Sequence, residues 1–67
     1  MYQRIENYKE YQRITTVDTD GNYEQKIKWN DGTITNCYKT TIYKMGWKSV
    51  KEFLRNRPKF KKILGGN

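Results

Sequence analysis

Between Tyr11 and Ile42 apolar and polar residues alternate in three runs rich in Thr, Ile, Val, Tyr and Trp. Two Asp-Gly pairs, Asp20-Gly21 and Asp31-Gly32, break the runs. Asp-Gly between alternating runs is a strong hairpin signal, because two-residue type I′ loops need positive φ at both central positions. The pattern predicts a three-stranded antiparallel meander over residues 11–42. With Asp20-Gly21 as a two-residue loop, Val17 pairs with Glu24 and Ile14 with Ile27. With Asp31-Gly32 as the second, Trp29 faces Ile34, Ile27 faces Asn36, Gln25 faces Tyr38 and Tyr23 faces Thr40. Strand side chains alternate between faces. The expected core face is then Ile14, Thr16, Tyr23, Gln25, Ile27, Trp29, Ile34 and Tyr38. The expected wet face is Arg13, Thr15, Val17, Glu24, Lys26, Lys28, Thr33, Thr35, Cys37 and Lys39, with Glu24 able to pair with Lys39.

Outside the meander the pattern changes period. Residues 1–10 read either as an added edge strand, which makes the sheet four-stranded, or as one or two helical turns with Ile5 and Tyr8 on one side. Tyr2-Gln3-Arg4-Ile5 recurs as Tyr11-Gln12-Arg13-Ile14, a copy too short to be a structural repeat. Gly46 marks the turn in the connection over 43–48. Ser49 and Glu52 fit a capping box, and Val50, Phe53 and Leu54 form an apolar stripe, which predicts a helix over 49–56 packed on the sheet. Pro58 ends it and opens a short basic helix or tail over 58–64, stopped by Gly65-Gly66. The expectation is a single α+β domain over 1–67: a three- or four-stranded antiparallel meander packed against a C-terminal helix.

Charge sharpens this picture. The net charge is +7. Residues 1–45 nearly balance, whereas residues 46–67 carry Lys48, Lys51, Arg55, Arg57, Lys59, Lys61 and Lys62 against Glu52 alone. Such asymmetry points to a polyanionic partner, and dense cations bind phosphates by counterion release. The seven C-terminal cations are the first expected nucleic-acid contacts. The wet sheet face adds Arg13, Lys26, Lys28 and Lys39, placed to enter a groove. The architecture resembles that of DNA-binding domains in some integrases and plant transcription factors, which read the groove with a three-stranded sheet backed by a helix; no motif is shared with them letter by letter.

Candidate chemistry is sparse. The chain has no His, one Ser and one Cys, so no ordinary nucleophile–base pair can be assembled, and an enzyme is not expected. Neither a cofactor nor a metal is expected, since no ligand spacing or phosphate-cradling loop occurs. A single cysteine, Cys37, forms no internal disulfide and fits a reducing, cytoplasmic setting, and no apolar run is long enough to span a bilayer. Abundant Lys, Asn, Ile and Tyr without Ala is what an AT-rich genome encodes, which suggests a phage, mobile-element or low-GC bacterial product. The main reading is a non-enzymatic nucleic-acid-binding protein. The rival is a small inhibitor or adaptor of a host protein, for example an immune nuclease or polymerase, bound at an acidic or nucleic-acid-binding surface. A structural role runs third, and the edges of a short sheet invite a homodimer.

Overall fold

The computed structural model describes residues 1–63. Strands β1 (Tyr2–Asn7), β2 (Tyr11–Val17), β3 (Asn22–Trp29) and β4 (Ile34–Thr41) are followed by helix α1 (Val50–Arg55) and the two-residue strand β5 (Lys61–Lys62). They form one antiparallel sheet in the order β4-β3-β2-β1-β5 with a short helix, an α+β arrangement. No helix among the described residues is long and apolar enough to cross a membrane.

Both Asp-Gly hairpins form, with a different loop from the expected one. The Asp18 N–H donates to the Asn22 carbonyl and the Gly21 N–H to the Asp18 carbonyl, both at 3.1 Å. Trp29 and Thr33 repeat the scheme around Gly32. Each loop therefore holds three residues, and only its glycine takes positive φ, +90° at Gly21 and +92° at Gly32. This is a turn followed by a left-handed glycine, a geometry that asks nothing unusual of Asp20 or Asp31. Asp18 fixes the first loop by accepting from the N–H groups of Asp20 and Asn22, and Asp31 accepts from Thr33 in the second.

The extra loop residue shifts the β2–β3 register by one. Val17 pairs with Tyr23, Thr15 with Gln25 and Arg13 with Ile27. A one-residue slip turns every side chain of a strand over. Thr15 and Val17 thus face α1 and are buried, while Ile14 and Thr16 lie on the opposite face, which corrects the expected sorting of β2. The β3–β4 register begins one off as well, with Ile34 opposite Lys28. A bulge at Cys37 then restores the expected pairs Gln25–Tyr38 and Tyr23–Thr40. Ile34 consequently leaves the expected core face and is 59% exposed.

Residues 2–7 are a strand, pairing Ile5 with Ile14 and Glu6 with Arg13. The N-terminal segment is therefore the added strand rather than the helical turn. Ser49 caps α1 by accepting from the Glu52 N–H at 3.1 Å, as the Ser-x-x-Glu spacing predicts. Gly46, with φ +97°, turns the chain into the helix. The short helix expected at 58–64 does not form over its described part. The Phe60 N–H donates to the Arg57 carbonyl, so Pro58 takes the second position of a β-turn instead of the first turn of a helix. Lys61 and Lys62 then add to β1 opposite Gln3 and Tyr2. The expected helix stop at Gly65-Gly66 lies outside the described residues.

The core sits at one end of the sheet. Val17, Ile42 and Phe53 are fully buried, each worth about 1.5–3 kcal/mol over exposure. Phe53 meets Tyr23, Trp47 and Phe60 edge-on, with centroids 5.6–6.1 Å apart. At the far end Tyr11 lies between Tyr8 and Trp29, and the Asn30 side-chain amide reaches the Lys9 carbonyl. No helix among the described residues covers that end.

Candidate nucleic-acid interface

The cations divide by the element that carries them. Arg13 donates to both Glu6 carboxylate oxygens at 2.8 and 3.2 Å, and Arg4 approaches Glu6 at 3.7 Å. The Arg13 hydrogen bonds hold the Glu6 carboxyl below its ordinary range and push the Arg13 guanidinium further up. Glu24 sits between Lys39 at 3.4 Å and Lys26 at 3.9 Å. Every ion pair among the described residues belongs to the sheet.

The sheet face away from α1 collects Lys26, Lys28 and Lys39, with Asn22, Asn36, Gln3 and Gln12 around them. Arg13 does not join them, because the register places it on the helix side against Glu6. Thr15 and Thr35 also lie on the helix side. The sheet-face set read from the sequence is therefore split, and Glu24 neutralises part of what remains.

The C-terminal segment differs. Lys48, Lys51 and Arg55 are exposed on and just before α1, Lys59 on the turn, and Lys61 and Lys62 on the edge strand β5. Together with Lys44 they face Glu52 as the segment's sole acid, and none of them makes an ion pair among the described residues. Arg57 stands apart. Its guanidinium lies over the Trp47 and Phe53 rings at 5.3 and 5.2 Å, which makes it a packing residue. Arg4 lies over Phe60 at 5.1 Å in the same way. Sequence reasoning missed both. Arginine with abundant aromatic residues was the available signal, but only the fold selects which pairs meet.

Exposed rings occur elsewhere. Tyr8, Trp29 and Tyr38 are 42%, 39% and 52% exposed on the uncovered end and margin of the sheet. Trp29, which the pattern placed in the core, donates its indole N–H to Thr35. No family model matches this sequence, and comparison with curated proteins and with solved structures returns no significant match.

Proposed function

We propose that the chain is a non-enzymatic nucleic-acid-binding protein that holds phosphates with Lys48, Lys51, Arg55, Lys59, Lys61 and Lys62. The supporting observation is the segregation of charge. The cations of the sheet are partly tied to Glu6 and Glu24, whereas those from Lys44 to Lys62 are exposed or stacked without an acidic partner among the described residues. Unpaired exposed cations release condensed counterions from a polyanion without first breaking an internal ion pair. The remaining sheet-face cations Lys26, Lys28 and Lys39 supply a second, weaker surface.

Fluorescence anisotropy against labelled duplex DNA, single-stranded DNA and RNA across a salt series tests this reading. Four to six phosphate contacts predict a log–log salt slope of about −3 to −5. The quadruple variant Lys51→Glu, Arg55→Glu, Lys59→Glu, Lys62→Glu should lose binding and keep its circular dichroism spectrum. Binding retained in that variant, or absent in the native protein at low salt, refutes the proposal. Arg57 is excluded from the set because its loss would disturb packing.

One observation favours a second reading, an adaptor or inhibitor of a protein partner. The exposed rings of Tyr8 and Trp29 flank Tyr11 at the end of the sheet opposite the Phe53 core, and Trp and Tyr are the residues that anchor protein interfaces. A complex that survives high salt and is broken by Trp29→Ala would support it.

A further inference from the structure

Strand β4 ends the sheet, and no strand among the described residues covers its outer edge. Its residues 34–39 are all exposed, it contains no proline, and Lys39 is its one charged side chain. Devices that normally blunt an edge are thus few, a lysine and a bulge. The opposite edge is different, because β5 covers Tyr2 and Gln3 of β1.

The direction of the edge groups follows from two bonds. In an antiparallel ladder successive residues point their N–H and C=O alternately toward and away from the neighbouring strand. At one end the Trp29 N–H donates to the Thr33 carbonyl. Counting on, Thr35 points inward, and Ile34 and Asn36 point outward. At the other end the Ile42 N–H donates to the Gly21 carbonyl. Counting back, Thr40 points inward, and Thr41 and Lys39 point outward. Cys37, the bulged residue, absorbs the change of phase.

The outward set Ile34, Asn36, Lys39, Thr41 is symmetric about its own centre. We propose that two copies of this chain pair antiparallel along their β4 edges about a two-fold axis, with Ile34 opposite Thr41 and Asn36 opposite Lys39 of the second copy. In this register all four outward residues bond across the axis. Side chains also match by face, since Ile34, Asn36, Lys39 and Thr41 all lie on the side away from α1. Thr35 then meets Thr40 on the helix side. Without the bulge, the same full overlap of residues 34–41 would set each face against the opposite one. Lys39 meets Asn36 rather than its own copy, so no like charges are directly opposed in a pair of +7 chains. A two-fold edge is self-complementary, which is why the partner is a second copy and not an unrelated strand.

A single strand pair buries a small area, so association should be weak and must be sought at concentrations up to about 1 mM. Sedimentation equilibrium of the purified chain without nucleic acid should show a reversible monomer–dimer transition. Asn36→Glu places a carboxylate opposite Lys39 twice by symmetry, and should tighten the dimer about three- to tenfold in a salt-sensitive manner. Asn36→Lys should weaken it by a similar factor. Gln12→Glu makes the same charge change on the same face of a central strand, and should leave the constant where it was. A native chain that is monomeric at the highest concentration overturns the proposal. So does an equal shift with Asn36→Glu and Gln12→Glu, which would reduce the effect to net charge. Neither result bears on phosphate binding by the C-terminal cations.

Discussion

Gly21 and Gly32 occupy equivalent loop positions with nearly the same φ, yet their surroundings differ. An added Cβ at Gly21 would lie 2.5 Å from Cε2 of the Tyr43 ring, whereas nothing lies within 4 Å at Gly32. Gly32→Ala should cost the left-handed penalty alone, about 1–2 kcal/mol. Gly21→Ala adds the loss of Tyr43 packing, about 1 kcal/mol more, because that half-exposed ring must swing away. Denaturant melts of the two variants separate backbone strain from ring contact. Equal losses would mean that the ring yields freely. Arg4 and Arg57 make a related point. Arg57 was counted among the phosphate-binding cations and Arg4 was not, yet both lie over aromatic faces. Charge alone could not reveal this, because the rings they meet come from other elements.

At the level of elements, both Asp-Gly hairpins, the capped helix and the turn at Gly46 were legible in the sequence. Each is announced within four or five residues. The register was not legible, since it depends on whether a loop holds two residues or three. Asp-Gly is compatible with either, and the deciding bonds run from Asp18 and Trp29, outside the pair. That single residue turned Thr15 and Val17 inward, sent Ile14 outward and removed Arg13 from the basic face. β5 was missed for a similar reason: Pro58 favours both a first helical turn and a β-turn, and β1 was not firmly placed as the strand to receive the chain. The loops also carry a pH dependence. Burial raises the Asp18 carboxyl, but donors from Asn22, Asp20 and Gly21 outweigh it, and the net position is below the ordinary range. Thr33 lowers Asp31 likewise. A depressed carboxyl stabilises the fold above its unfolded pKa, and that stabilisation is lost as pH falls through the folded value. The loss should therefore lie below about pH 4. A double variant, Asp18→Asn with Asp31→Asn, should melt below the native chain at neutral pH, and the gap should narrow toward about pH 2. An unchanged gap would show that the loops are held by geometry and not by charge.

Over the whole molecule, one surface is basic and makes no ion pair among the described residues, another is aromatic and half-exposed, and the fully buried apolar residues described are Val17, Ile42 and Phe53, all at one end. The candidate site was partly legible at this scale. The excess of cations after residue 46 is visible in the letters, and their placement on a helix, a turn and an edge strand is not. Mixed use of the same residue type explains the difference, since a lysine on β3 beside Glu24 and one on β5 read alike until the strands are paired.

The off-centre core sets how the molecule breathes. Each long strand of the meander has one end under α1 and the other end beyond it, so opening should begin at the Asn30–Gly32 loop and travel along the strands. Amide hydrogen exchange should grade within single strands, with Thr15, Val17 and Tyr23 slow and Tyr11 and Trp29 faster. Uniform protection from one end of β3 to the other would instead mean that the Tyr8–Tyr11–Trp29 stack closes its end as firmly as the core closes its own.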